Sequence, residues 1–454
     1  MKRSTFFALA LACMGLSSGG VLAQTQEEPH SVVLYAGEVL ADVSEKSRGP
    51  STLVITSGRI DRIIAGHPDA EELGLTNPVV HDYRDKLIMP GLIDLHVHLS
   101  LVGPRASGVD EHMGAARALA EQHADVRNES YNLINASVAA RRTLAAGYTT
   151  VRNIGDSGWH IFALRDGINK GVMRGPRILN AGAIIRIGAD DGSGACTDVP
   201  SCKRAVRKQI DKGADWIKVY ATCSGSKPCG HELAPPLFLE EELNAIVAVA
   251  ATRQVKVAAH AHGTAGINAA LEAGVNTIEH GSSNNKESHR LFKRGGAFLV
   301  PTLSVVLDRV AKELPDAKEP MRTVMQAFVD KHPVRLLAAH KAGVRVAAGS
   351  DAGIVAHGDN ARELSNYVQI GFSEIEALEA GTITAAAALG MSDDLGILEV
   401  GRFADILVLQ EDPRNNINAL FDVVAVMQNG LLHHPEDLLQ GLPALEEAAE
   451  EEAY

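Results

Sequence analysis

Apolar and polar positions alternate in a strand-like way near both ends of the 454-residue chain. Short β-branched and apolar runs there are separated by turn residues such as Ser57-Gly58 and Asn429-Gly430. We expect residues 24–87 and 400–437 to pair into one small β-sandwich domain made from both chain ends. The predicted strands include Ser31 to Tyr35, Thr52 to Ile55, Ala404 to Leu409 and Val423 to Met427.

Between these flanks, short apolar runs alternate with longer segments of helical spacing, such as Glu240 to Ala251, Gly266 to Ala273 and Arg335 to Lys341. This alternation predicts an α/β architecture with a parallel sheet. Eight strand–helix units over residues 88–399 are what a (β/α)8 TIM-like barrel needs. The predicted strands are Leu92 to Leu99, Thr149 to Ile154, Arg177 to Ala181, Trp216 to Ala221, Val255 to Ala259, Thr277 to Glu279, Ala297 to Pro301 and Val344 to Ala348.

Residues 1–23 have the pattern of a secretory signal peptide. A basic Lys2-Arg3 start precedes an apolar run, and Val21-Leu22-Ala23 offers a cleavage site. We therefore expect a periplasmic or secreted protein. The apolar run from Phe6 to Leu16 is too short to cross a bilayer as a helix, so we expect no stable membrane insertion. Residues 438–454 predict a solvated acidic tail.

Composition narrows the classes of partner. The hydrophobic fraction of 46% and the charged fraction of 22% are those of an ordinary globular protein. The formal net charge of −13 argues against nucleic acid, because such binding needs clustered Lys and Arg. A small-molecule substrate is the expected partner, and homo-oligomer formation stays open.

The four cysteines outside the leader form two neighbouring pairs, Cys196 with Cys202 and Cys223 with Cys229. Each pair would close a small loop, and in an oxidising compartment this spacing predicts two disulfides. A structural zinc knuckle is the alternative, although its cysteines are usually closer in sequence.

Reactive residues, most of them of types that bind metals, stand where the predicted barrel strands end. The carboxyl ends of barrel strands meet at one face, so we expect these side chains to converge. Residues two apart on a strand share a face and can grip one ion. Imidazole and carboxylate ligands suit zinc. The candidates are His96 and His98 on the first strand, Lys218 in the fourth, His260 and His262 after the fifth, His280 after the sixth and Asp351 after the eighth.

A metal at this face has a chemical use. It lowers the pKa of bound water to near neutrality, and a neighbouring carboxylate can take the remaining proton and pass it to the leaving group. Asp351 is the candidate for that catalytic role.

The sequence resembles the amidohydrolase superfamily from about Pro90 to Asp412. Within it, the chain is most similar to the branch of imidazolonepropionase-like proteins, Xaa-Pro and Xaa-Arg dipeptidases and ochratoxinase-like amidases. The motifs that carry the resemblance are Pro90 to His98, Gly213 to Val219, Ala259 to Gly263, Ile278 to Gly281, Gly349 to Ala352 and Gly401 to Ile406.

The resemblance implies two metals bridged by a carboxylated lysine. An unmodified ammonium at Lys218 would repel two cations, whereas a carbamate formed with carbon dioxide is a bridging anion. A Lys paired with a nearby carboxylate is the structural alternative. The implied roles are His96 and His98 on the more buried metal, Lys218 as the bridge, His260 and His280 on the second metal, and Asp351 as ligand and proton shuttle.

The sequence defines the substrate contacts less closely than the metal ligands. His260 and His262 compete for one ligand position, and the family pattern favours His260, which leaves His262 to contact the substrate or polarise its carbonyl. Tyr220, two residues after Lys218, is a second candidate for a substrate contact. Both Tyr220 and His262 could instead be packing residues. Arg152 is a candidate for the substrate carboxylate, or pairs with a core acid. The last candidates, in the loop and helix after the eighth strand, are His357 and Glu363.

The expected function is that of a binuclear hydrolase that cleaves an amide or peptide bond by metal-bound hydroxide. Its substrates would be dipeptides or N-acyl amino acids, ochratoxin-like amides included. The alternative is a cyclic amide hydrolase or deaminase with one metal, for which Lys218 would be unmodified. A binding protein on a decayed barrel is disfavoured because every expected ligand is present.

Overall fold

The computed structural model describes residues 31–101, 129–156, 158–188, 194–223 and 234–442. The predicted signal peptide and most of the predicted acidic tail lie outside these ranges. None of the helices within them is long and apolar enough to span a membrane. The strands are β1 (Val32–Val39), β2 (Ser51–Thr56), β3 (Arg59–Ala65), β4 (Val79–Pro90), β5 (Leu92–Val97), β6 (Tyr148–Asn153), β7 (Arg177–Asn180), β8 (Arg186–Ile187), β9 (Ala195–Cys196), β10 (Trp216–Tyr220), β11 (Lys256–Ala261), β12 (Thr277–His280), β13 (Phe298–Val300), β14 (Ile406–Leu409), β15 (Val423–Gln428) and β16 (Leu431–His433).

The helices alternate with the central strands. A π-helix spans Val305–Val310, and 3-10 helices span Leu314–Asp316 and Ile417–Phe421. The α-helices are α1 (Glu129–Ala145), α2 (His160–Asn169), α3 (Val199–Asp211), α4 (Glu240–Ala251), α5 (Thr264–Ala273), α6 (Lys286–Gly295), α7 (Ala311–Glu313), α8 (Met321–Lys341), α9 (Arg362–Ile370), α10 (Glu374–Ala380), α11 (Ile383–Leu389) and α12 (Pro435–Leu439).

Strands from both chain ends form one seven-stranded sheet in the order β16-β15-β14-β4-β1-β2-β3. Strand β4 joins the two ends because it pairs parallel with β1 and antiparallel with β14. Alternate residues of these strands, among them Leu34, Ile88 and Ile406, pack into a core of their own. The predicted pairing of the two ends is therefore present as a single sheet, and the structure does not show the predicted two-layered sandwich.

The central strands form two parallel sheets, β5-β6-β7 and β10-β11-β12-β13. Every residue of β5 and β6 is buried, as expected when both faces of a parallel sheet are covered. Apolar residues of α4 and α5, such as Ile246 and Ile267, pack with Val257 of β11 in the large core between strands and helices. Helix α4 has its predicted range, and α5 ends at Gly274 with φ of 89°, a conformation that glycine adopts without strain.

Backbone hydrogen bonds connect these two sheets on both sides. On one side, Asp215 N, just before β10, donates to Asn180 O of β7 at 2.8 Å, and Ile185, five residues after β7, forms a parallel bridge with Val219 of β10. On the other, the segment of the predicted eighth strand contacts both β13 and β5, with Ala347 N donating to Leu299 O and Leu95 N donating to Ala348 O. Seven of the eight predicted strands are thus present as strands, and the eighth pairs through isolated bonds.

Candidate metal centre

The strand ends bring the predicted metal ligands close together. Two groups of three residues each have ligand atoms that all lie within 4.8 Å of one another. One group is His96, His280 and Asp351, and the other is His260, His262 and His280. His280 belongs to both, so the two groups are adjacent, and all five side chains are buried.

Asp351 offers an acceptor that the protein does not satisfy. Its Oδ1 lies 3.3 Å from Nε2 of His98 and 3.5 Å from Nε2 of His96. It nevertheless accepts no well-aligned hydrogen bond from the described residues. A buried carboxylate oxygen without a donor is costly, and the imidazoles of His96 and His98 at the end of β5 both converge on this one.

Two of the candidate ligands, His280 and Asp351, lie at backbone positions that L-residues rarely adopt. The φ angle is 68° at His280 and 60° at Asp351, which costs a residue with a side chain roughly 1–3 kcal/mol. Consecutive residues of an extended strand face opposite sides, so Glu279 and His280 should diverge. The left-handed backbone of His280 instead directs its ring toward the other candidate ligands, while the Glu279 carboxylate contacts Nδ1 of His96.

Three imidazoles are held in place from behind through Nδ1. A partner there fixes the ring and leaves Nε2 for a metal, as in known metal sites. The contacts are His96 Nδ1 with Glu279 Oε2 at 2.9 Å, His262 Nδ1 with Ser282 Oγ at 2.7 Å and His280 Nδ1 with Thr302 Oγ1 at 2.7 Å.

Burial keeps the imidazoles of His96, His260 and His280 neutral at physiological pH. Burial, together with the charge of Lys218, lowers the pKa of His96 to about 4 and that of His260 to about 3. The pKa of His280 is also held well below its ordinary value, mainly by burial. A neutral imidazole is the form that binds a metal.

Lys218 and Asp351 supply the opposite charges of the site. Burial lowers the pKa of Lys218 to about 8, although the carboxylates of Glu279 and Asp351 raise it. Burial alone would raise the pKa of Asp351, but the neighbouring His96, His98 and Lys218 favour its ionised form and hold the pKa below its ordinary value. Asp351 is therefore a carboxylate at neutral pH.

This set of donors fits divalent cations. Neutral buried imidazoles and a carboxylate oxygen without a donor would be a liability in an ordinary core, where buried polar atoms are paired. The same atoms are the nitrogen and oxygen ligands that zinc prefers.

Comparison with known proteins decides the family. The model described as the Amidohydrolase family matches residues 87–432, which is more than half of the chain. The chain belongs to the amidohydrolase family.

Several relatives support the assignment. An ochratoxinase of Aspergillus niger is 28% identical over 443 residues, covering 91% of this chain and 88% of the relative. An imidazolonepropionase of Sphingopyxis alaskensis is 27% identical over 373 residues, covering 78% of this chain and 85% of the relative. The crystal structure of a Xaa-Pro dipeptidase with bound methionine in the active site has a TM-score of 0.77 and 28% identity, covering 89% of this chain and all of that chain (100%). This amidohydrolase therefore has a TIM-barrel-type α/β fold and is a hydrolase that acts on carbon–nitrogen bonds.

Tyr220 and His262, which were predicted to contact the substrate, lie beside candidate metal ligands of this amidohydrolase. The ring of Tyr220 packs against His260 at a centroid distance of 4.6 Å, and burial raises the pKa of its hydroxyl to about 12. The ring of His262 stacks on His280 at 4.8 Å. His260 and His262 both have a ligand atom within 4.8 Å of one on His280, so geometry leaves both histidines at the second group.

Arg152 lies in the core, where it cannot contact a substrate. Its side chain is 0% exposed, and its guanidinium donates to Glu279 at 2.8 Å. The remaining donors bond Thr277 Oγ1 and the Leu95 carbonyl. The structure thus corrects the substrate-binding prediction for Arg152 in favour of its alternative, a pair with a core acid.

His357 and Glu363 hold loops in place. His357 Nε2 lies 3.2 Å from the carbonyl of His98 and 3.1 Å from that of Leu101, so the ring supports the loop after β5 from behind. Glu363 accepts hydrogen bonds from the backbone amides of Leu303 and Ser304 at 2.8 and 2.7 Å. The prediction of a direct substrate contact for His357 is therefore corrected to a positioning role.

Glu279 is the functional residue that sequence reasoning left without a role. A carboxylate directly before His280 in an otherwise apolar strand was the available signal. The sequence does not show which residues Glu279 contacts, because its partners His96 and Arg152 are on other strands.

One predicted disulfide is present. Cys196, at the end of β9, is bonded to Cys202 of α3. Cys223 is also disulfide-bonded, and Cys229, its predicted partner, lies outside the described ranges.

Proposed function

We propose that this amidohydrolase is a binuclear enzyme that cleaves the amide or peptide bond of a dipeptide or an N-acyl amino acid, ochratoxin-like amides included. The observation that carries the proposal is the buried Asp351 Oδ1, which lies beside the imidazoles of His96 and His98 without a hydrogen bond from the described residues. The names of its relatives, an ochratoxinase and a Xaa-Pro dipeptidase, support this class of substrate.

Two divalent cations, proposed to be zinc, would be held by two adjacent ligand groups in a closed (β/α)8 barrel. When bound, they would supply Lewis-acid chemistry that activates water and polarises a carbonyl. A carbamate on Lys218 would replace a buried positive charge with an anion between the groups. The proposed division of ligands follows the family pattern, with His96, His98 and Asp351 for one cation, His260 and His280 for the other, and Lys218 shared; His280 belongs to both groups of close ligand atoms.

The side chains of the protein have separate tasks in the hydrolysis. Asp351 accepts a proton from the attacking water and returns it to the departing nitrogen as the carbon–nitrogen bond breaks. Its low pKa suits the first task, because the carboxylate must be ionised to accept. His262 and Tyr220 lie beside the ligands, where they would contact the substrate carbonyl.

We propose further that the enzyme is exported. The pattern of residues 1–23 and the disulfide between Cys196 and Cys202 support this location, because disulfides persist in oxidising compartments.

The test is hydrolysis of a panel of dipeptides and N-acyl amino acids by the zinc-loaded protein, with Asp351→Asn as the inactive control. We expect release of the amino acid by the wild type, together with a metal count of two per chain. Turnover that survives removal of the metal would contradict the proposal. One metal per chain with unmodified Lys218 would favour the cyclic amide hydrolase.

A further inference from the structure

An arginine outside the predicted site lies next to Tyr220. Ile185 and Val219 form a parallel bridge. Ile185 N donates to Lys218 O at 2.8 Å, and Tyr220 N donates to Ile185 O at 3.0 Å. Arg186 and Tyr220 each follow a bridged residue, so they stand side by side at the same level of neighbouring segments.

The alternation of side chains gives the direction of Arg186. Ile185 and Val219 both pack in the outer core between strands and helices. The residues before and after them therefore face the other side, where the imidazoles lie. Ile184 fits this pattern, because a Cβ placed on Gly155 would lie 3.0 Å from Ile184 Cδ1 and 2.8 Å from His98 Cε1.

Arg186 lies two residues after Ile184 on the same face of the segment, and unlike Ile184 it is exposed. The charge of Arg186 acts on the Tyr220 hydroxyl, so the guanidinium is within electrostatic reach of that hydroxyl. An exposed guanidinium next to a tyrosine hydroxyl on the neighbouring segment can form a receptor for an anion.

The backbone of Arg186 is fixed on both sides. It belongs to β8, which pairs with β9, and Arg186 N donates to the carbonyl of Gly194 at 3.2 Å. Strand β9 ends at Cys196, whose disulfide ties it to Cys202 of α3. A binding residue held in this way loses little freedom when its ligand arrives.

Arg186 can take the role for which the sequence first suggested Arg152. Arg152 lies within the core and spends its guanidinium on Glu279. We propose that Arg186, together with the Tyr220 hydroxyl, binds the carboxylate of the substrate and makes the enzyme selective for amides that carry a free carboxylate. The guanidinium fork matches the two carboxylate oxygens. This inference rests on the proposed amide hydrolysis at the same site.

The test compares two substrates that share one scissile amide. One is the best-cleaved N-acyl amino acid of the panel, and the other is its analogue in which hydrogen replaces the carboxylate. The variants are Arg186→Gln, Arg186→Lys, and Arg207→Gln as a control at an exposed arginine of α3. We expect Arg186→Gln to lower kcat/KM for the acid about 10- to 100-fold, mainly through KM, and to leave the analogue unchanged. Arg186→Lys should be intermediate, because the charge remains without the fork.

Equal losses on both substrates would indicate a structural role and overturn the inference, as would no loss on the acid. Calorimetric titration of L-phenylalanine, a product of such a cleavage, provides a readout that needs no turnover. We expect binding to weaken in Arg186→Gln and to be unchanged in Arg207→Gln. If the wild type cleaves no amide, the proposed function fails, and the calorimetric comparison still decides whether Arg186 binds a carboxylate.

Discussion

The carboxylate of Glu279 lies 2.9 Å from Nδ1 of His96. The pKa of Glu279 is lowered to about 2, since Arg152 and His96 outweigh the effect of burial, and the ionised group can only accept hydrogen bonds. His96 must therefore carry its proton on Nδ1 and present the lone pair of Nε2 toward Asp351. Glu279 thus sets the tautomer that a metal ligand needs.

Glu279→Gln removes this acceptor charge. We expect the affinity for zinc to fall by about 10- to 100-fold, because the amide fixes the His96 tautomer less strongly. Competition with a chromophoric chelator measures the affinity. Glu287→Gln, at an exposed glutamate paired with Arg290, is the matched control and should bind zinc like the wild type.

The same variant should also lose stability. Removal of the Glu279 charge leaves the guanidinium of Arg152 buried and uncompensated, which costs about 3–5 kcal/mol of unfolding free energy. Denaturant unfolding of the metal-free protein measures it. A Glu279→Gln variant with wild-type zinc affinity and wild-type stability would refute the role assigned to Glu279.

Lys218→Ala tests the bridging carbamate. We expect the metal content of the purified protein to fall from two per chain to one, because the anion between the ligand groups is lost. A short carboxylate such as propionate should restore part of the activity by entering the space that the side chain leaves. Lys286→Ala, at an exposed lysine of α6, serves as the control. Full metal content in Lys218→Ala would contradict the bridge.

Asp351→Asn separates chemistry from folding. Asparagine tolerates the left-handed backbone at this position, where φ is 60°, so the melting temperature should stay near that of the wild type. The amide cannot accept the proton, and kcat should fall about 10²- to 10⁴-fold. Asp351→Val removes the same group but adds roughly 1–3 kcal/mol of backbone strain. Retained activity in Asp351→Asn would eliminate the proton-transfer role.

Glu363 makes stability depend on pH. Burial raises its pKa from 4.5 to about 7, although the Ser304 and Leu303 amides favour the ionised form. The folded protein therefore binds this proton more tightly than the unfolded chain. The stabilisation is complete below pH 4.5 and is lost as the pH rises through about 7, a change of up to about 3 kcal/mol.

Glu363→Gln should remove this pH dependence between pH 4.5 and 7. Unfolding free energies of the wild type and the variant at pH 5 and pH 8 measure the difference. Parallel pH profiles for the two proteins would show that Glu363 does not titrate in this range.

The barrel strands could be predicted because their apolar runs and their ligand residues are local features. His96 and His98 share a face by strand geometry alone, and the helical spacing of Glu240 to Ala251 gave α4 its bounds. The eighth predicted strand, Val344 to Ala348, shows the limit of such reasoning. Its residues pair with β13 and β5 through isolated bonds only. The apolar sequence of such a segment is the same as that of a regular strand, so the sequence cannot distinguish the two.

The depth of a residue in the barrel could not be predicted. Arg152 and Lys218 both lie on barrel strands, and alternation does not tell which is close to the mouth. The register of neighbouring strands decides, and it places Arg152 against Glu279. Arg186 escaped attention for the converse reason, because β8 has two residues and gives no apolar run.

The central claim is that separate strand ends hold two metal ions in one place. An anomalous difference map from crystals of the zinc-loaded enzyme tests it directly. We predict two peaks, one bounded by His96, His98 and Asp351 and the other by His260 and His280, with Lys218 between them. Peaks elsewhere, or no peak beside Asp351 in zinc-saturated crystals, would contradict the account.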